Sequence, residues 1–400
     1  MWELIRANER KSAVLIILMG ILLAGMGFVI GMAFDAESGA IWGIILSLAV
    51  WGLLMLISFT AGKDIMLSTS GAKQITPDMH PQLYNVVEEM RIAAGMNTTP
   101  KVYIIDTEMP NAFATGMKPE NSAVAVTSGL LRRLNRDELQ GVVAHEMSHI
   151  INRDIRFMTI AGVMMGTIII IAQVFLRGMF FSGGGRRDSK GGSGQIIFLL
   201  IAIAFAILAP IMARLLYFAI SRKREYLADA SAVRLTRYPE GLASALEKIA
   251  SSDAQIPSAN KVTAPMYICN PLRPKGMKAA DLSSTHPPIS ERIRILRNMS
   301  GGANYINYQQ AYQSVRNQSS LLPASALADH SDIPLRDGGS EGIPGAELKT
   351  NTRAATDAVL MATDYTLIDC NCGMKLKVPP QYSGKYVYCT RCGMEHKVKR

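Results

Sequence analysis

Two histidines four residues apart, with a glutamate directly after the first, stand in Ala144-His145-Glu146-Met147-Ser148-His149. On a helix, His145 and His149 leave one face a turn apart, so both imidazoles can share one metal ion. Glu146 is turned about 100° from that face and can reach a water on the metal rather than the metal itself. With 6 His and 32 acidic residues in 400 positions, chance supplies only about 0.007 copies of the pattern. The neighbours Val142, Val143, Ile150 and Ile151 argue for burial, and buried imidazoles need partners. A catalytic zinc takes three protein ligands and keeps a fourth position open. Glu225 and Asp229, again four apart, offer carboxylates on one helical face. Following the charged run SRKR, each could equally be a solvated acid.

Four of the five cysteines crowd into 370–392. Cys370-x-Cys372 and Cys389-x-x-Cys392 are each followed by a glycine, Gly373 and Gly393. That spacing fits two knuckles closing a four-sulfur structural zinc site in a reducing compartment. So short a segment cannot build its own core, so metal binding would be its folding energy. It resembles small bacterial zinc ribbons, with a first knuckle one residue shorter than the common pairing. Tyr382, Tyr386 and Tyr388 beside basic residues leave weak nucleic-acid contact open. Cys269 stands alone and reads as a small packed residue.

The elements that must position these groups follow from composition and periodicity. The length suggests two or three folded units. Hydrophobic residues make up 49% of the chain and charged residues 18%, below the ~25% of soluble domains. This excludes a disordered chain, a collagen and a polar coiled coil. The net charge of +10 suits nucleic acid or anionic lipid headgroups. Runs 13–34 and 40–62 lack charge and are long enough to cross the ~30 Å hydrocarbon core. Runs 159–176 and 196–213 sit at the lower limit, where a hairpin buried against the domain is the alternative. The first run exceeds the apolar stretch of a signal peptide, and a second follows closely.

Lys and Arg concentrate at Arg6, Arg10, Lys11, Lys63, Lys73 and 222–224, which places the N-terminus inside. The basic loop at 186–190 dissents. Helices are expected at 81–95, from about 137 to 153 behind the cap Asn135, from the fourth run through Leu235, and at 239–251 and 287–299. Strands are expected at 101–106 and 123–127. The Gly-rich tract 182–195 lacks the G-K-[ST] ending of a phosphate loop and reads as a flexible loop.

HEMSHIINRD taken with SRKREYLADASAVRL resembles the signature pair of HtpX-type membrane zinc metallopeptidases, in the gluzincin clan that also holds the CAAX prenyl peptidases. TEMPNAFATG and STHPPISERI are similar to two further motifs of that family, in the same order, over roughly residues 1–300. The resemblance implies that Glu225 is the third zinc ligand and that Asp229 orients a ligand histidine. It implies a strand beside the zinc, at Asn111, Ala112 and Phe113, whose backbone pairs with an extended substrate. It also implies that His286 and Arg292 stabilise the oxyanion. By residue type alone, His286 could instead cap the following helix, and Arg292 could pair with acids beside Glu291. Quality control of damaged membrane proteins is the role the family implies.

The expected fold is an α-helical multi-pass membrane protein with a mostly α, α+β gluzincin metallopeptidase domain and a small C-terminal β zinc ribbon. Residues 1–62 would form two transmembrane helices, 63–158 the first part of the catalytic domain and 159–220 a membrane or membrane-associated hairpin. Residues 221–300 would complete the domain. A linker, partly helical or disordered, would fill 301–365, with one helix near 304–315, and the ribbon 366–400. The expected activity is zinc endopeptidase, with Glu146 as proton carrier for a zinc-activated water. One catalytic and one structural Zn2+ are expected. Polypeptides, above all membrane proteins, and the bilayer are the expected partners, with nucleic acid disfavoured. Catalytic domain and both termini would face the cytoplasm from the inner membrane. A CAAX-type peptidase and an inactive adaptor presenting the ribbon are the alternatives. The seven spans of the first and the intact motif residues argue against both.

Overall fold

The structure, a computed structural model, describes residues 2–182, 193–252, 267–268, 286–317, 321–322, 327–328, 333–338 and 344–398. The basic loop at 186–190 and Cys269 lie outside them, as does most of the tract 182–195.

The chain opens with two long antiparallel helices, α1 (Trp2–Phe34) and α2 (Gly39–Thr69). Asp35 ends the first by accepting hydrogen bonds from Ser38 and the Glu37 N–H. The two helices meet backbone to backbone. A methyl group at Gly31 would overlap the Gly39 carbonyl, and one at Gly27 would overlap that of Gly43. Small residues four apart allow such approach where lipid removes any hydrophobic drive between helices. Both helices are long and apolar enough to cross a membrane. Ile21, Trp42 and Leu46 are more than half exposed on their outer faces.

Between α2 and the second helical pair lies a four-stranded sheet, ordered β1-β2-β4-β3. Its strands are β1 (Lys73–Gln74), β2 (Lys101–Ile105), β3 (Ala112–Gly116) and β4 (Ser122–Thr127). β2 and β4 run parallel and the other pairs antiparallel. Alternate residues leave opposite faces of a strand, and here they divide two cores. Val102, Ile104, Val124 and Val126 pack with α3 (Pro81–Ala93) and α5 (Arg136–Ile151). Ile105, Phe113, Ala123 and Ala125 face α1, α2 and α6 (Asp154–Ser182).

The helix carrying His145 and His149 is α5. Asn135 accepts from the Glu138 N–H, and the Glu138 carboxylate accepts from the Asn135 N–H, a reciprocal cap that fixes where the helix begins. The short α4 (Ser128–Arg133) precedes it. Gly141 lies directly against the Leu242 backbone of α8 (Pro239–Ala250), leaving no room for a side chain. α6 begins three residues after α5, and its first turns are buried rather than exposed, through Ile160, Ala161, Met164 and Ile168. α7 (Ser193–Thr236) runs unbroken through Pro210 from the fourth apolar run to Glu225 and Asp229.

Past α9 (Ile289–Arg297), the segment beyond residue 300 contributes more than a connection. α10 (Tyr305–Arg316) buries Tyr308 and sets Tyr312 edge-on to Tyr226, 5.1 Å between ring centroids. Arg336 donates to the Thr236 carbonyl, Asp137 and Gln140. α11 (Pro344–Ala362) buries Ala355 and Ala358 in the main core, while Asn351 donates to the Leu134 carbonyl at 2.9 Å. Two hairpins follow, β5 (Thr366–Asp369) with β6 (Lys375–Val378), and β7 (Tyr386–Tyr388) with β8 (Glu395–Lys397). Lys375 bonds Asp357 of α11 at 3.0 Å.

Gly31→Ala is expected to force α1 and α2 apart and cost about 1–3 kcal/mol. Gly52→Ala, into open space, is the control, and thermal unfolding in detergent reads the difference.

Candidate metal centre

α5 turns His145 and His149 toward one point, with their Nε2 atoms 3.3 Å apart. α7 brings Glu225 to the same point. Its Oε2 is 3.6 Å from His145 Nε2 and its Oε1 3.5 Å from His149 Nε2. Ligands about 2.0–2.1 Å from a tetrahedral ion stand about 3.3–3.4 Å apart, close to all three separations. His145 Nδ1 lies 2.9 Å from Asp229 Oδ1, and His149 Nδ1 lies 3.3 Å from Asp154 Oδ2. Each carboxylate assigns the ring proton to Nδ1, so both Nε2 lone pairs face inward. Two lone pairs and a carboxylate gathered in a buried space repel unless a cation, either a proton or a metal ion, joins them. The donor set therefore fits zinc.

Electrostatics around the triad are those of a buried charge cluster. Burial raises the Glu146 carboxyl above the usual range, partly offset by the two imidazoles and by the Ala114 backbone hydrogen bond. Glu225 is drawn the other way: burial opposes its charge, but His286, His145 and His149 hold it well below the usual range. Burial also opposes a charged His149, yet Asp154 and Glu225 carry that imidazole up to about 10. Arg292 of α9 is fully buried and donates to Asp229 through Nε at 2.8 Å and Nη2 at 2.6 Å. Its Nη1 lies 3.3 Å from Glu225 Oε2, and His286 Nδ1 lies 2.9 Å from the same oxygen. Both residues implicated in oxyanion binding thus reach the site from the Glu225 side.

β3 packs beside α5, and its outer edge is engaged at Ala112. The Ala112 carbonyl accepts from the Ile268 N–H at 3.0 Å, and Tyr267 packs edge-on against Phe113, 5.0 Å between centroids. Asn111 anchors the strand's start: its N–H donates to Thr127 Oγ1, and its own Oδ1 accepts from the Ala112 N–H. Sequence reasoning passed over Asp154, the partner of His149. It lies inside the HEMSHIINRD segment, but five residues after a helical histidine is the wrong face.

The C-terminal hairpins bring the four expected cysteines together. Cys370 and Cys392 sulfurs are 3.4 Å apart, Cys372 and Cys389 3.5 Å. The set lies within 4.8 Å and no disulfide forms among them. Thiolates about 2.3 Å from a tetrahedral ion stand about 3.8 Å apart. Gly373 and Gly393 take φ of 80° and 73°, which only glycine adopts without strain. Backbone N–H groups of Cys392 and Arg391 aim at the Cys389 sulfur and lower its pKa to about 6.

A buried HExxH helix met by a glutamate from a second helix defines a zinc metallopeptidase, a hydrolase of peptide bonds. The sequence model described as Peptidase family M48 matches residues 77–300, and the chain belongs to that family. Three proteins described as "Protease HtpX homolog" are similar over almost their whole lengths. That of Dictyoglomus turgidum is 48% identical over 298 residues, 74% of this chain and 94% of the relative. That of Dictyoglomus thermophilum is 45% identical over the same shares. That of Caldanaerobacter subterraneus subsp. tengcongensis is 43% identical over 75% of this chain and 98% of the relative. Among solved structures, the crystal structure of S. mikatae Ste24p aligns at 21% identity and a TM-score of 0.38, covering 74% of this chain and 67% of that one.

Arg292→Met should remove the cation shared by Asp229 and Glu225 and destabilise the fold by about 3–5 kcal/mol. Arg292→Lys should recover only part, because an ammonium cannot form both bonds to Asp229. Chemical denaturation measures both.

Proposed function

We propose that this chain is a membrane-embedded zinc endopeptidase that cleaves misfolded or membrane proteins, with His145, His149 and Glu225 holding the catalytic zinc. The observation that carries this reading is the near-tetrahedral spacing of the three ligand atoms. Zinc there would polarise the scissile carbonyl and bring the pKa of a water near neutrality. Glu146, its carboxyl already raised by burial, accepts the proton of the attacking water and returns it to the leaving amine. His286 and Arg292 are the donors available to the developing oxyanion. Arg292 would act through Nη1, since Nε and Nη2 are committed to Asp229. An extended substrate would add to the edge of β3 at Ala112 and Phe113, displacing Ile268 from the Ala112 carbonyl.

In this reading the first two apolar runs cross the inner membrane, and the transmembrane or membrane-associated hairpin at 159–220 divides the catalytic domain. Catalytic domain and both termini face the cytoplasm, following the basic flanks. Cys370, Cys372, Cys389 and Cys392 hold a second, structural zinc. The ribbon would serve substrate capture or regulation.

Proteolysis of an unfolded model protein in detergent tests the proposal. Glu146→Gln should keep its metal and lose activity by about 10²–10⁴-fold, and a chelator should abolish activity in the wild type. Full activity in metal-loaded Glu146→Gln would refute the mechanism. Metal analysis should find two zinc ions per chain, falling to one in Cys389→Ser.

A further inference from the structure

The carboxylate behind His149 is delivered by a break between two helices. α5 ends at Ile151, and Arg153 then adopts a φ of 58°, a left-handed conformation that costs a non-glycine residue energy. α6 starts at the next residue, Asp154. In an uninterrupted helix, Asp154 would project about 140° away from His149. The left-handed step folds it back instead, so that Oδ2 lies 3.3 Å from His149 Nδ1. Its position in the first turn of α6 places the carboxylate at the positive end of that helix.

The second oxygen of Asp154 has a cation of its own. Asp154 is fully buried, and its Oδ1 lies 3.8 Å from Nε of Arg224, itself 4% exposed. The Arg224 guanidinium stacks on the Phe157 ring, 3.9 Å from its centroid. Arg224 directly precedes Glu225. The series His149–Asp154–Arg224 thus repeats, on the other imidazole, the series His145–Asp229–Arg292. A buried carboxylate is costly unless partnered on its open sides. Here the partners are a ring nitrogen and a packed guanidinium.

We propose that Asp154 is a positioning residue for the metal centre. It holds the proton of His149 on Nδ1 and aims Nε2 at the metal, and Arg224 balances its charge. The proposal rests on His149 being a zinc ligand. It makes the zinc-site support two-armed, with one arm from α7 and one from the start of α6. A role confined to starting α6 would affect stability and leave metal affinity unchanged.

The test uses the full chain in detergent, titrated with Co2+ as a spectroscopic stand-in and with Zn2+ against a competing chelator. Thiolate charge-transfer bands report the cysteine site and serve as an internal reference, and the weaker bands report the nitrogen–oxygen site. Asp154→Ala is expected to weaken the nitrogen–oxygen site by about 10- to 100-fold with the thiolate bands unchanged. Asp154→Asn keeps an acceptor for Nδ1–H without the charge and should fall between the two. Wild-type affinity in both variants overturns the proposal. If Asp154→Ala does not fold, Asp154→Asn decides alone: a reduced affinity supports the assignment and an unchanged one overturns it. His149→Ala separates the two layers. If it leaves the weaker bands intact, the zinc-site reading fails, and the role of Asp154 fails with it.

Discussion

Everything in the catalytic half answers to one constraint: several ionisable groups are gathered where water cannot solvate them. Glu146, Glu225, Asp229 and Asp154 are each 3% exposed or less, together with His145, His149 and Arg292. An isolated buried charge costs several kcal/mol, so such a cluster persists only if each member is matched. Arg292 matches Asp229 and part of Glu225. Arg224 and the His149 ring match Asp154. What these pairings leave over is a ring of inward-facing lone pairs, which a divalent cation satisfies. The metal site is the remainder of the local charge balance, and removing any one partner exposes the rest.

That constraint explains the architecture around it. The groups come from four helices: α5, α6, α7 and α9. They can be dry only if each element is sealed on its outer side. α8 seals α5 closely enough that Gly141 and Gly241 have no room for side chains. α10 and the Arg336 segment seal α7 and α9, through Tyr308, Tyr312 and the bonds to Thr236 and Asp137. The residues beyond 300 therefore work as part of the catalytic fold, although the family match stops at residue 300.

What could be read in the sequence was what depends on short-range geometry. The i,i+4 histidines, the Asn135 cap and the apolar runs are set by helix periodicity, so they are legible along the chain. The four cysteines were legible because knuckle spacing is local. Asp154 was not, because its meeting with His149 depends on a left-handed residue that no periodic rule supplies. α11 escaped notice for a different reason. Its buried apolar residues are the alanines Ala355 and Ala358, in a run of Thr, Asn and Arg, so its apolar stripe is too weak to stand out. The occupied edge of β3 depends on Tyr267 and Ile268, more than 150 residues away in sequence, and no local pattern announces that contact.

The way α6 and α7 are joined to the site has a mechanical consequence. Each is one continuous helix with an apolar run at one end and a support of the metal centre at the other. α6 carries Asp154, and α7 carries Arg224, Glu225 and Asp229. A continuous helix transmits rotation along its axis because every turn is tied to the next by backbone hydrogen bonds. A rotation of α7 by a few tens of degrees would carry Glu225 and Asp229 together and break ligand and imidazole support in the same motion. The partners that resist it are Arg292, His286 and the α10 contacts, all from outside the two helices. The metal centre is therefore a point where the apolar helices and the soluble packing each hold half of one cage, and neither half suffices alone.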